Sequence, residues 1–506
     1  MNQHASASPQ HFPIELDWLK QWAMYSPEAI ALVDDASGET ITYREAYLRS
    51  NRLARYLMHE RGIKVGDRVA VLATNELDYI LLYFALQKTG AMMVPMNHRL
   101  SPRELQYIVD DAQPTLVIEQ MALQDRISGY PELAFDGVGG VGDLLREATL
   151  DASNPGIHST FEAPVMILYT SGTTGNPKGA VLSNRMIFWN SVNTGLRLNL
   201  VQQDKTLTFA PFFHTGGWNV LNLPFLHRGA QQILLKKFDP DRVIQLIGKE
   251  KISILFGVPT MMDRLRESPH FEPTDLRSIR YAVVGGEPMP LPLIKAWHTK
   301  GVPVRQGYGL TEFGPNVFSL NEADAERKMG SIGFPNFYIE TRIVDDLGNE
   351  VTNGEAGELL LRGTVCMNEY WNHPEATAQT IVDGWVHTGD VARCDDEGYF
   401  YIVDRKKDMF ISGAENVYPA EVEKVLRTHP DIREVAVVGV PDPTWGEVGM
   451  AYIALKPGTR MDLAAMQAFC NGQLARYKIP KYVRFIEELP KSDSGKLLKR
   501  ALSREL

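Results

Sequence analysis

The stretch Tyr169–Ala180, YTSGTTGNPKGA, follows the apolar run VMIL at 165–168 and packs four Ser/Thr hydroxyls, three glycines and one lysine into twelve residues. Glycine permits positive φ, so successive backbone N–H groups can converge on one anion while the hydroxyls donate further hydrogen bonds and Lys178 adds charge. The order of apolar strand, Ser/Thr/Gly loop and helix-like SNRMIFWNSVN (183–193) is that of a phosphate-binding loop. A Walker A loop needs Gly-Lys-Ser/Thr, whereas Lys178 here is preceded by Pro177 and followed by Gly179. The same composition also describes a mobile Gly/Thr linker. Local sequence leaves both readings open.

Around this stretch, strand-like apolar runs alternate with amphipathic helical ones. DRVAVLA (67–73) precedes ELDYILLYFALQKTG (76–90), QILLKK (232–237) precedes PDRVIQLIGKEK (240–251), and SILFGV (253–258) precedes a segment opening at Pro259. That alternation predicts βαβ units, with parallel sheets flanked by helices. TYREAYLRSNRLARYLMHERG (42–62) reads as a further helix, with Leu48, Leu53 and Leu57 among its apolar positions and Gly62 as its stop. Past Gly330 the texture changes to short β segments, YIETRIVDDLGNEV, GELLLRG and GYFYIVDRKKD, which predict a small β-rich subdomain. After DRKKD it changes again, to an α+β pattern. The expected architecture is an α/β domain over 1–404 that includes a β-barrel-like subdomain, a junction at 405–407, and a small α+β domain over 408–506.

At 506 residues the chain is too long for one hydrophobic core. Its 44% hydrophobic and 23% charged residues are those of a soluble globular protein. The formal charge of -10 is spread along the chain without a basic block, which argues against a nucleic acid partner. Cys366, Cys394 and Cys470 are widely separated and lack metal-site or disulfide spacing. No signal peptide and no run of about 18 apolar residues is present, so a cytoplasmic location without integral membrane association is expected. Peripheral membrane contact and a homodimer stay open.

Six further segments decide between cradle and linker: FFHTGG (212–217), YAVVGGEPMP (281–290), QGYGLTEFG (306–314), GWVHTGD (384–390), DRKKDMFISGAENVYPAEVE (404–423) and PKSDSGKLLKR (490–500). With YTSGTTGNPKG they resemble, in order and rough spacing, the motifs of the adenylate-forming superfamily, which includes acyl-CoA synthetases, luciferases and peptide-synthetase adenylation domains. The likeness covers essentially the whole chain and is nearest to the fatty acyl-CoA synthetase branch.

The resemblance implies ATP, Mg²⁺ and CoA as cofactors and assigns roles residue by residue. Thr170, Ser171, Gly172, Thr173, Thr174, Gly175 and Lys178 would hold the β- and γ-phosphates, Thr173 being counted among the catalytic residues. Thr311 and Glu312 would lie near the α-phosphate, with Glu312 as the Mg²⁺ ligand. Tyr308 and Gly309 would approach the nucleotide, and Gly285, Gly286, Glu287 and Pro288 would line the adenine pocket. Asp390 would accept hydrogen bonds from the ribose hydroxyls, assisted by Arg405. Lys496 would bridge the carboxylate and the α-phosphate, and Lys407 would be the hinge about which the C-terminal domain rotates between half-reactions. Gly413, within ISGAENVYP, would line the pantetheine channel; the usual second glycine is Ala414 here.

His214 would stand beside the acyl carboxylate, with Phe213, Trp218, Asn219 and Gly333 as pocket walls. Trp218 has three readings on sequence: a gate to a fatty-acid tunnel, a plug shortening the pocket for an aryl acid, or core. FFHTGGWNV lacks the aspartate of amino-acid-activating relatives. A medium or long-chain fatty acid is the first expectation and an aryl acid the alternative. With no carrier segment after Leu506, CoA is the expected acceptor. A fatty acyl-AMP ligase and a catalytically silent nucleotide binder are the competing readings.

Overall fold

The computed structural model describes residues 14–170, 177–406, 408–412, 415–471, 473–491 and 497–503. Contacts divide the chain into two compact units, one of Met1–Met329, Pro335–Glu340 and Arg362–Gly384, the other of Gly330–Phe334, Thr341–Leu361 and Trp385–Leu506.

The first unit contains the parallel sheets that the alternating pattern predicts. A seven-stranded sheet runs in the order Glu369–Tyr370, Lys178–Ser183, Pro164–Thr170, Met92–Pro95, Arg68–Leu72, Leu116–Glu119, Glu132–Ala134. Its interior pairs are parallel, whereas the strands at the 369–370 end are antiparallel. The helix Leu77–Thr89 is buried on nearly every side, as its almost uninterrupted apolar sequence requires. Gly90 ends it in the left-handed region at φ 76°. A four-stranded sheet orders Thr40–Thr42, Ile30–Asp34, Gln231–Leu234 and Lys205–Thr208. A third set joins Ile254–Gly257, Tyr281–Val284 and Val304–Leu310 in parallel, and Gly314–Ser319 folds back antiparallel on the last.

The helix Tyr43–His59 opens on a capping box in which Thr42 and Glu45 satisfy each other's backbone N–H. It stops at His59, short of the expected Gly62, which instead takes φ 64° and lets Ile63 N–H return to the Leu57 carbonyl.

In the second unit, Trp385–Cys394 pairs antiparallel with both Gly357–Gly363 and Phe400–Arg405. The C-terminal α+β pattern becomes a sheet ordered Glu415–Val417, Phe410–Ser412, Gly446–Leu455, Ile432–Asp442, with Tyr482–Phe485 parallel to Gly446–Leu455. The helices Pro419–Leu426 and Leu463–Cys470 close a core that includes Phe410, Val422, Val437, Ile453 and Met466.

Candidate active site

The strand Pro164–Thr170 does not lead through the Ser/Thr/Gly loop into a helix. It turns back as a hairpin, with Thr170 opposite Lys178 and Tyr169 opposite Gly179. The helix Asn184–Arg197 begins only after the second strand, capped by Ser183. The helix expected over 183–193 is therefore found, and what the expected order left out is KGAVLS, which is apolar enough to be buried as a strand of its own. Ser171, Gly172, Thr173, Thr174 and Gly175 lie outside the described residues, as do Lys407, Gly413 and Lys496. Of the phosphate-loop set, Thr170 and Lys178 are described. Thr170 Oγ1 donates to the Lys178 carbonyl at 3.4 Å.

Lys178 starts the returning strand, and its Nζ lies 5.6 Å from the ring centroid of Tyr370. The Tyr370 hydroxyl donates to Glu312 Oε1 at 2.7 Å. Glu312 sits in the 3₁₀ turn Thr311–Phe313, directly after the strand Val304–Leu310 that carries Tyr308 and Gly309. Met367 N–H donates to the Glu312 carbonyl at 2.8 Å, fixing the turn from the side of the 369–370 strand. Two expected site residues, Lys178 and Glu312, are thus gathered around a tyrosine that sequence reading did not single out. Tyr370 reaches them through strand pairing to Lys178–Ser183, a non-local event with no local motif.

Gly309 is a glycine for steric reasons, since a Cβ there would lie 2.3 Å from the Pro315 backbone. Tyr308 packs edge-on to Phe318. The segment after Tyr281–Val284 leaves Gly286, Glu287 and Pro288 exposed, with Gly286 at φ 89°. Gln306 secures it: its Nε2 donates to the carbonyls of Val284 at 3.3 Å and Glu287 at 3.0 Å, and its Oε1 accepts from Met289 N–H at 2.9 Å. Gln306 is a second residue that sequence analysis passed over, although it opens QGYGLTEFG.

His214 lies in a tight turn in which its N–H donates to the Pro211 carbonyl and its carbonyl accepts from Gly217 N–H. Any Cβ at Gly217 would meet the Pro211 oxygen at 2.3 Å, so the turn requires glycine. The Phe213 and His214 rings are 4.6 Å apart. Asn219 is buried; its Nδ2 donates to Thr215 Oγ1 at 3.1 Å, and its carbonyl accepts from Asn190 Nδ2 at 2.7 Å.

Trp218 has no exposed surface. It packs on Phe212 at 4.6 Å, Tyr79 at 5.7 Å and Tyr83 at 5.6 Å, and its Nε1 donates to the Phe212 carbonyl. This burial is what the third of its readings, core, describes.

In the second unit, Asp390 and Arg405 face each other across paired strands, with Arg405 Nε 2.5 Å from Asp390 Oδ1. The Asp390 side chain is buried. Beside them Asp404 accepts from the N–H groups of Arg405 at 2.7 Å and Ala420 at 2.8 Å, and burial pushes its carboxyl above the usual range. Gly333 takes φ 81°, and its N–H donates to Ser331 Oγ at 2.9 Å.

The AMP-binding enzyme family model matches residues 19–371, and the AMP-binding enzyme C-terminal domain model matches 421–496. The chain belongs to the AMP-binding enzyme family. It falls in the acyl-CoA ligase branch of these adenylate-forming enzymes and is an acid–thiol ligase by kinship. A feruloyl-CoA synthase of Amycolatopsis sp is 39% identical over 96% of this chain and 98% of its own. A long-chain-fatty-acid–CoA ligase of Mycobacterium tuberculosis is 36% identical over 96% of this chain and 97% of its own. Among solved structures, the o-succinylbenzoate CoA synthetase of Bacillus subtilis, in complex with its acyl-adenylate intermediate, superimposes with a TM-score of 0.86. It is 31% identical, with 96% of this chain and 97% of that one covered. Among the described residues no helix is long and apolar enough to cross a membrane.

Proposed function

We propose that this AMP-binding enzyme converts a carboxylic acid and ATP to acyl-AMP and pyrophosphate, then passes the acyl group to CoA with release of AMP. A carboxylate is a poor acylating agent, and AMP supplies the leaving group it lacks. Bringing an anion to a triphosphate requires cations and donors held in place beforehand. The observation that carries the reading is the convergence of Lys178 and Glu312 on Tyr370, which brings a phosphate-seeking cation and a hard oxygen ligand to one side chain.

Magnesium fits this donor set. Among the described residues no cluster of three or more His, Cys, Asp or Glu could hold a metal. A single carboxylate that leaves the remaining positions to phosphate oxygens and water is what Mg²⁺ takes at nucleotide sites. Glu312 would hold it, and the ion would neutralise charge on the phosphates. Lys178 would bind phosphate oxygens together with the 170–175 loop. Gly285–Pro288, held by Gln306, would accommodate adenine with Tyr308. Asp390 would accept from the ribose hydroxyls while Arg405 orients it. His214 and Phe213 would flank the acyl carboxylate, with Asn219 and Gly333 further along the pocket.

Lys496 would supply the cation for adenylation. Residues 408–506 would then turn about Lys407 so that Gly413 and its neighbours admit the pantetheine arm. This reading keeps 1–404 as the adenylation domain and 405–407 as the junction.

For the acid, a medium or long-chain fatty acid is the first reading, supported by the likeness to the mycobacterial fatty acid ligase. An aryl acid is the second, favoured by the likeness to the feruloyl-CoA synthase and to an indoleacetate–CoA ligase of Aromatoleum aromaticum. ATP–pyrophosphate exchange across a panel of fatty acids of graded length and of cinnamic, indolic and benzoic acids tests both. Exchange confined to fatty acids supports the first reading, exchange confined to aryl acids supports the second, and no exchange with any acid overturns the activity.

A further inference from the structure

We propose that Tyr370 is a positioning residue that holds the Mg²⁺ carboxylate of Glu312 and the phosphate-loop cation of Lys178 apart while keeping both at the site. The inference rests on the function proposed above. One side chain makes two different contacts: its hydroxyl donates to Glu312 Oε1 at 2.7 Å, and its ring meets Lys178 Nζ at 5.6 Å from the centroid.

Were the two groups to pair directly, the ammonium and the carboxylate would neutralise each other. The acid would then be withdrawn from the metal and the cation from the phosphates. Among the described residues no ion pair joins Lys178 to Glu312, and the phenol lies in contact with both. A neutral donor leaves the carboxylate its charge and fixes its rotamer, whereas the ring face holds the ammonium weakly enough for a phosphate to displace it.

The backbone is built to keep Tyr370 in place. Its Cα lies opposite Ala180, two residues from Lys178 on the same strand. Tyr370 N–H donates to Thr377 Oγ1 at 2.9 Å, and Trp371 N–H donates to the Gly179 carbonyl at 2.7 Å. With Met367 tied to the Glu312 carbonyl, the segment 367–371 braces the phosphate-loop strand and the metal-ligand turn together.

The test is Tyr370→Phe, which removes the donor and keeps the ring, in the full-length chain. Mn²⁺ binding in the presence of a non-hydrolysable ATP analogue is read by electron paramagnetic resonance, and the Mg²⁺ dependence of ATP–pyrophosphate exchange is read alongside it. Loss of a hydrogen bond to a charged group predicts that Mn²⁺ affinity falls about tenfold and that the Mg²⁺ giving half-maximal exchange rises by about the same factor. The KM for the acid is unchanged. In a Glu312→Gln background Tyr370→Phe should add no further loss, an outcome a merely structural tyrosine would not give. Wild-type Mn²⁺ affinity in Tyr370→Phe, or an equal loss in the Glu312→Gln background, overturns the proposal. Should no acid support exchange while Mn²⁺–nucleotide binding still depends on Tyr370 through Glu312, the activity reading falls and the positioning role stands. A wild-type chain that binds no Mn²⁺–nucleotide overturns both.

Discussion

Glu119 ends the strand Leu116–Glu119 with 2% of its surface exposed, and among the described residues neither carboxylate oxygen has a hydrogen-bond partner. Burial is the main cause that lifts its carboxyl to about 7; the charges of Glu132 and Asp125 add to the rise, and Arg126 opposes it. A carboxyl whose folded value lies above its unfolded 4.5 binds its proton more tightly when folded. Its contribution to stability is fully present below about pH 4.5 and is lost as pH rises through about 7. Glu119→Gln should therefore stabilise the protein by about 1–3 kcal/mol near pH 8 and flatten the decline between those limits, as read from melting curves across pH. An unchanged pH profile would remove Glu119 from this role. The sequence around it, PTLVIE at 114–119, carries no mark that this acid is buried. Asp390 and Arg405, which the structure pairs, each stand in a motif, whereas Tyr370 and Gln306 owe their contacts to strand neighbours that no local pattern announces.

At the scale of elements, the hairpin Pro164–Ser183 is where sequence and structure part most usefully. The composition of the loop left cradle and linker both open, and the strand that follows it was not read from sequence. Whether KGAVLS forms a strand or leads into the following helix is decided by the neighbours it pairs with on both sides, residues 164–170 and 369–370. Gly179 shows how tight that pairing is: a Cβ would lie 2.6 Å from Ile167 Cγ2 and 3.1 Å from the Tyr169 ring. Tyr169 is itself fixed by its hydroxyl bond to Asp111, and burial together with that carboxylate holds its phenol well above the ordinary range. Gly179→Ala should destabilise the protein by about 1–3 kcal/mol in denaturant titrations. It should also raise the KM for ATP more than that for the acid, because the displaced strand carries Lys178. Equal KM values for wild type and variant would separate the hairpin from nucleotide binding. The long helices were the most legible elements, since a capping box or an almost uninterrupted apolar run fixes them locally.

For the whole molecule, the change of texture past Gly330 correctly marked a β-rich region. Contacts group residues 341–361 and 385–405 with the C-terminal part, since Asp404 bonds to Ala420 and Lys406 to Glu358 and Asp346. Such long-range ties have no trace in composition. The proposed turn about Lys407 would have to carry or break them between half-reactions. Lys496→Ala separates the two steps: acyl-AMP formation should fall by about a hundredfold or more, while thioester formation from supplied acyl-AMP is largely retained. Equal losses in both assays would contradict the alternation of domains. The most direct test of the central claim is to follow the wild-type chain with its best acid, ATP and Mg²⁺, with and without CoA, and to identify the products by mass. The account predicts acyl-AMP and pyrophosphate in the absence of CoA, and acyl-CoA with stoichiometric AMP in its presence. Acyl-AMP that persists despite added CoA would contradict it.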